Sequence, residues 1–292
     1  MQIRQKISIA ITPHLLEAAI IILPIILYAH LLIYWYDGWL NKTISIEHEY
    51  FSHGIIGLPF AAYISWTKRH QWRKLPNTAH PLGAILLGLG GVFYLSRSPE
   101  FVNLSLSIVL AGLCLWLKGV PGFKLQAFPL LLVFLATPNP VPYLIAPYTL
   151  LLQKFIAGTV GFILLQLGLD VNVQGIYVFV SGRIVEVAPY CAGLKMLFTS
   201  LYVDLMLLYW TEAWTSRTKT IVLVLGTVVI SVSTNIIRNT LLTFFHGTDQ
   251  DRLFDWLHDG WGGDLLSALM LGSVVFLLYG IERCYSLRRT KC

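Results

Sequence analysis

Charge is scarce in this sequence: Asp, Glu, Lys and Arg make up 12% of its 292 residues, while 56% are hydrophobic. A soluble domain carries about twice that share of charge, so a water-soluble globular protein is a poor reading. Internal repeats are absent, and with them the usual signature of a transporter built from duplicated halves. Low-complexity linkers are absent too, which leaves a single integral-membrane domain over 1–292 as the simplest organisation. Close ligand spacings such as CxxC or HxxxH do not occur, so a zinc site using Cys191 with His48, His53, His246 or His258 has little support. No metal and no cofactor are expected.

What is present is a succession of apolar runs long enough to cross a bilayer, with a mean hydropathy of +0.67. They read as spans at about 15–36, 52–67, 82–97, 101–117, 124–138, 191–210, 220–242 and 263–282. The first run, Leu15 to Tyr36, is too long for a signal-peptide core and lacks a small-residue cleavage site, so it is expected to remain as a span. Basic residues then orient the chain, because they concentrate in cytoplasmic loops. Arg4 and Lys6, then Lys68, Arg69, Arg73 and Lys74, then Lys118 and Lys124, fall on one side by alternation. Arg217 and Lys219, and finally Arg283, Arg288, Arg289 and Lys291, fall on that side as well. The opposite loops hold only Lys42, Arg97, Arg183 and Arg252, beside Glu47, Glu49, Asp249, Asp251 and Asp255. The net charge of +6 therefore marks cytoplasmic loops rather than a nucleic-acid partner.

Sidedness decides one ambiguous run. If TPNPVP (137–142) is outside and the basic loop at 211–219 is inside, the 143–167 run cannot cross fully. Its middle carries Gln153 and Lys154, and a lysine at the bilayer centre costs about 2.5–3.5 kcal/mol. An outer interfacial helix avoids that cost. After it, Val171, Val173, Ile176, Val178 and Val180 alternate up to a Ser-Gly pair, followed by Ile184, Val185 and Val187. This pattern predicts a short extracytoplasmic β-hairpin. The expected fold is thus an all-α polytopic membrane protein, with about eight transmembrane helices, one outer interfacial helix and that hairpin.

Three polar residues converge at one depth. Cys191, in VEVAPYCAGLKMLF (185–198), follows a proline turn at the outer mouth of a span. Arg238 lies eighteen residues beyond Thr220, roughly 27 Å up its helix. His258, in DWLHDGWGGDLL, precedes the last span on the same side. Together these types can perform acyl transfer: a thiolate attacks a carbonyl, an imidazole manages protons and a guanidinium stabilises the oxyanion. Each also has a plainer explanation: a small buried hydrophobe, a snorkelling arginine, a solvated histidine. Against these, Arg238 sits in the polar cluster Asn235-Ile-Ile-Arg238-Asn239 within a span, where polar residues are functional by default. Cys114 lies mid-span and Cys284 and Cys292 lie on the cytoplasmic side, so Cys191 has no ready disulfide partner.

VEVAPYCAGLKMLF resembles the nucleophile segment of the exosortase/archaeosortase family, usually written Cys-Ser/Ala-Gly-Leu-Arg/Lys. NIIRNTLL resembles its arginine segment and WLHDGWGGDLL its histidine segment, in the same order and at separations of 47 and 20 residues. EYFSHGIIGLPFAAYISWTKR resembles its early Ser-His-Gly segment. The likeness runs from about residue 30 onward and is greatest to cyanobacterial members, the cyanoexosortases, B type. Ala192 and Lys195 depart from the serine and arginine of many relatives. The resemblance implies a membrane-embedded cysteine transpeptidase or protease of the plasma (inner) membrane. Its implied partners are exported proteins whose C-terminal sorting tail comprises a Pro-Glu-Pro-like motif, a transmembrane helix and a basic end. The acceptor is not implied.

Supporting residues carry two readings each. His53 is a second imidazole or substrate hydrogen-bonder, or a solvated loop histidine. Asn235 and Asn239 bracket Arg238, and Asn235 is placed to hold its guanidinium. Asp255, three residues before His258, either orients its ring or is a solvated acid. Lys195, beside the nucleophile segment, bears on how the substrate backbone is held. Asp204 lies at least one turn below the site, and Tyr177 and Phe179 either line the substrate's path or rest on lipid. The competing functions are a transporter or flippase for an extracellular polysaccharide intermediate, and a scaffold subunit without chemistry.

Overall fold

The computed structural model describes residues 22–40, 50–189 and 191–289. The first part of the predicted span at 15–36, together with Arg4, Lys6, Lys42, Glu47, His48, Glu49, Lys291 and Cys292, lies outside the described residues. The chain is mostly helical, and its internal packing divides it into two units.

The first unit contains helix α1 (22–40) and residues 61–138. Helix α2 (Gly54–Thr67) enters it and is followed by the six-residue α3 (Arg69–Lys74), α4 (Pro81–Leu95) and α5 (Pro99–Ala136). The predicted spans 101–117 and 124–138 are the two arms of α5. Gly119 breaks the helix with φ 62° and ψ −156°, a conformation that a side chain disfavours. The hydroxyls of Ser107 and Thr137, 3.0 Å apart, show that the arms run side by side. Helix α4 packs closely on the first arm because small residues meet there: a Cβ on Gly83 would lie 2.5 Å from the Trp116 backbone nitrogen. Two pairs of polar side chains in this unit are hydrogen-bonded to each other. Trp35 Nε1 donates to Asn103 Oδ1 at 2.8 Å, and the Tyr28 and Ser105 hydroxyls are 3.0 Å apart.

The second unit holds Tyr50–Phe60 and everything from residue 139 onward. The run read as one interfacial helix is broken by its prolines into α6 (Val141–Ile145), a 3-10 turn (Ala146–Thr149) and α7 (Leu150–Gln166). By length and composition, 147–166 is a candidate span. One face of α7 is committed to a sheet: Ile156, Ala157, Val160 and Leu164 join Val171, Val178, Val180, Val187 and Ala192 in one buried cluster. Lys154 is exposed.

The expected hairpin is a three-stranded antiparallel meander of β1 (Val171–Gln174), β2 (Tyr177–Val180) and β3 (Arg183–Glu186). The Ser181–Gly182 turn has φ 49° and 83°, the left-handed pair that tight hairpins require. The correction lies upstream. Val171 to Val180 looked like one alternating strand, yet Gly175 at φ 65° folds it back on itself, pairing Val171 with Val180.

Helices α8 (Leu194–Trp210), α9 (Arg217–Gly247), α10 (Asp251–His258) and α11 (Trp261–Arg289) complete the unit. Helix α9, with 31 residues, is about 46 Å long and exceeds the hydrocarbon core of a bilayer. Among the described residues, four helices are long and apolar enough to cross a membrane by length and composition: α5, the one at 147–166, α9 and α11.

Candidate active site around Cys191

The approach to Cys191 is built by the strand that precedes it. The Val187 N–H donates to the Ile176 carbonyl, and Gln153 Nε2 on α7 donates to the Val187 carbonyl at 3.1 Å. Two turns of hydrogen bonds follow, from Cys191 N–H and Ala192 N–H to the Ala188 carbonyl. Gly193, at φ 84°, then starts α8. Cys191 therefore sits just before a helix N-terminus, whose unsatisfied N–H groups favour negative charge. It is 8% exposed and shares no disulfide with Cys114 or Cys284.

Helix α9 grips this turn by its backbone. Asn235 Nδ2 and Asn239 Nδ2 both donate to the Cys191 carbonyl, at 3.2 and 3.0 Å, and Asn239 also donates to the Asn235 carbonyl. Both asparagines are buried. The sequence singled them out as brackets for Arg238, with Asn235 placed to hold the guanidinium. The structure gives their amides to the thiol-bearing turn instead. At 100° per residue, Arg238 lies about 60° from Asn235 around the helix, on the same turn. It is half-buried and makes no hydrogen bond or ion pair among the described residues.

His258 ends α10. Its Nδ1 is 2.8 Å from Asp259 Oδ1, and its ring stacks on Phe254 at 5.2 Å and 9°. Phe254 in turn packs on His246 of α9 at 5.4 Å. The carboxylate at the imidazole is thus that of Asp259, the next residue. Asp255 is exposed, and its backbone carbonyl accepts from the N–H groups of Asp259 and Gly260. Neither Arg238 nor His258 is hydrogen-bonded to Cys191.

His53 is only 4% exposed, so it is no solvated loop histidine. Its ring lies 4.3 Å from that of Tyr202 on α8, while Tyr50 and Phe51 pack on Leu194, the first residue of α8. Lys195 is half-buried in the first turn of α8. Asp204, also on α8, is 1% exposed, and its Oδ1 has no hydrogen-bond partner.

Two contributors were given no role by the sequence, although one of them, Gly193, is the glycine of the segment that resembles the nucleophile motif. Arg183 donates to the His246 carbonyl at 3.1 Å and Asp251 at 3.0 Å and also pairs with Asp249, fastening the sheet to the corner between α9 and α10. The other is Gly193. A Cβ there would lie 2.6 Å from Asn235 Cγ, and the left-handed backbone alone costs a side chain about 1–2 kcal/mol. Gly193→Ala should therefore lower the melting temperature and disturb the asparagine grip. Gly272→Ala on α11, where a Cβ meets nothing within 4 Å, should leave the melting temperature unchanged or raise it slightly. Equal melting temperatures for the two variants in a thermal shift series would contradict this reading of the turn.

No curated protein and no solved structure gives a match to the chain. The family profile described as transmembrane exosortase (Exosortase_EpsH) matches residues 39–277. That range takes in the Cys191 turn, the polar face of α9 and all of α10, so the chain belongs to the transmembrane exosortase family.

Proposed function

We propose that this protein is a cysteine transpeptidase or protease that removes the C-terminal sorting tail of exported proteins at the extracytoplasmic face of the plasma (inner) membrane. One observation carries the reading. Both asparagine amides flanking Arg238 are spent on the Cys191 carbonyl, whereas the guanidinium between them is unengaged. The thiol is fixed through its backbone, and a strong donor stands ready on the same turn of α9.

In the proposed reaction, Cys191 Sγ attacks the scissile carbonyl, and the thiol proton passes to the His258 imidazole. Arg238 donates to the oxyanion of the tetrahedral intermediate. That intermediate collapses as the C–N bond breaks, with His258 returning the proton to the departing amine of the tail. The upstream fragment remains as a thioester on Cys191 until an amine or water attacks it and restores the thiol. Asp259, bonded to the ring, holds the imidazole in orientation as the third member of such triads does. The substrate's tail, with its Pro-Glu-Pro-like motif, transmembrane helix and basic end, would hold the scissile bond at this depth.

The accompanying topology is eight spans with both termini cytoplasmic and α7 outside the hydrocarbon core. Its support is the meander. An open sheet edge is not tolerated in lipid, and β1 and β3 each have one unpaired edge. Because α7 packs along this sheet from Gln153 to Leu164, strands that need water at their open edges favour an outer interfacial position for the helix over a full crossing. Reporter fusions should put 243–262 outside and 211–219 inside; a reporter placing 211–219 outside would reverse the orientation and remove Cys191 from the outer face. The direct functional test is mass spectrometry of a tail-bearing protein incubated with and without the enzyme. The expected products are a shortened protein and a released tail; an intact substrate under conditions where the enzyme is folded would overturn the proposal.

A further inference from the structure

A second feature lies in the first unit and is independent of the thiol. From Tyr50 to Leu169 the sequence contains a single acidic residue, Glu100. Within this stretch lie Lys68, Arg69, Arg73, Lys74, Lys118 and Lys124, six cations in two short segments. The fold brings those segments to one place. Lys68 Nζ donates to the Leu125 carbonyl at 2.9 Å, and Lys118 Nζ donates to the Leu75 carbonyl at 2.8 Å and to Asn77 Oδ1 at 2.6 Å. A Cβ on Gly122 would lie 3.1 Å from the Trp72 ring, so α3 rests directly on the turn between the arms of α5. Glu100 is remote from this end: eighteen residues of helix, roughly 27 Å, separate it from Lys118.

The cations divide into two sets. Lys68 and Lys118 are strapped to carbonyls, and Arg69 lies over the Trp66 ring at 4.6 Å while donating to the Trp66 carbonyl. These three fix the surface. Arg73, Lys74 and Lys124 are exposed and make no ion pair or hydrogen bond among the described residues. Beside them Trp66 is 65% exposed, and an exposed tryptophan next to basic residues at the end of apolar helices is the pattern of a headgroup-level anchor. A set of cations with no carboxylate paired to it among the described residues attracts phosphate.

We propose that this end of the first unit is a binding site for anionic phospholipid, with the headgroup phosphate held by Arg73, Lys74 and Lys124 and the acyl chains lying along the apolar face beside Trp66. The ligand is a lipid rather than a soluble phosphate, because the cations adjoin exposed apolar helix surface that a soluble anion would leave uncovered.

The test uses the full-length protein in a zwitterionic detergent, titrated with phosphatidylglycerol or phosphatidylcholine of the same chain length, with binding read by native mass spectrometry and thermal melting. Phosphatidylglycerol should be retained as discrete adducts and raise the melting temperature. Phosphatidylcholine should do neither to a comparable extent, and raised salt should shrink the difference. The triple variant Arg73→Gln/Lys74→Gln/Lys124→Gln should melt like the parent in phosphatidylcholine, since its side chains are exposed and unpaired. It should bind phosphatidylglycerol at least tenfold more weakly. The single variants Lys74→Gln and Lys124→Gln should give graded losses, which keeps the test decisive if the triple variant folds poorly. Arg217→Gln/Lys219→Gln, at the start of α9, should retain full binding. Equal retention of both lipids, undiminished binding in the triple and single variants, or an equal loss in the α9 variant would overturn the site. Stabilisation by inorganic phosphate alone to the same extent would overturn the assignment of a lipid as its ligand.

Discussion

Cys191→Ala is expected to abolish tail cleavage while leaving the protein folded and in the membrane. The reason lies in which atoms hold the turn. Asn235 and Asn239 bind the carbonyl of residue 191, and the N–H of that residue bonds to Ala188; neither contact involves the side chain. Replacing a thiol by a methyl group at a site 8% exposed therefore removes the proposed nucleophile and little packing. Parent-like melting and membrane insertion with no detectable product is the expected pattern. A variant that still trims substrate at a tenth of the parent rate or more would remove Cys191 from the chemistry.

Arg238→Lys should lower the rate of cleavage by about a hundred- to a thousandfold, the effect of losing one well-placed oxyanion donor, roughly 2.7–4 kcal/mol. Lysine keeps the charge but loses the planar fork of donors. Because Arg238 makes no hydrogen bond or ion pair among the described residues, the substitution breaks no polar contact, and the loss should appear in kcat with stability little changed. His258→Ala should be comparably severe, and neither change should add to the defect of Cys191→Ala, since groups acting as one unit do not contribute independently. A variant Arg238→Lys with parent kcat, or one that fails by unfolding, would assign the arginine a different role.

Much of the candidate site was legible because its residues are chemically out of place. A thiol after a proline turn and an arginine inside an apolar run stand out on cost alone, since polar groups in a membrane segment are expensive. What the sequence did not disclose is how these residues are supported. Helix spacing points Asn235 toward Arg238, yet the amides of Asn235 and Asn239 share an acceptor 44 and 48 residues away, the Cys191 carbonyl. The carboxylate at His258 belongs to the adjacent Asp259, whereas one-turn spacing favoured Asp255. His53 gave no sign of being buried, because its cover comes from Tyr202, far along the chain.

The fold divides in the same way. Helix positions followed from apolar runs, and the break between two predicted spans coincides with Gly119, whose positive φ ends one arm of α5 and starts the next. The sheet was recognised as alternating β structure, but not as three strands. The apolar positions shift phase between Val173 and Ile176, and that slip, together with Gly175, was the signal of the turn that a reading of 171–180 as one alternating run passes over.

The central claim is that Cys191 carries the substrate as a thioester, and acid-quenched mass spectrometry of the enzyme during turnover tests it most directly. The peptide containing Cys191 should gain the mass of the substrate fragment upstream of the scissile bond. That adduct should disappear with hydroxylamine and be absent in Cys191→Ala. Tail release at the parent rate with no adduct on Cys191, or an adduct that survives hydroxylamine, would contradict the account.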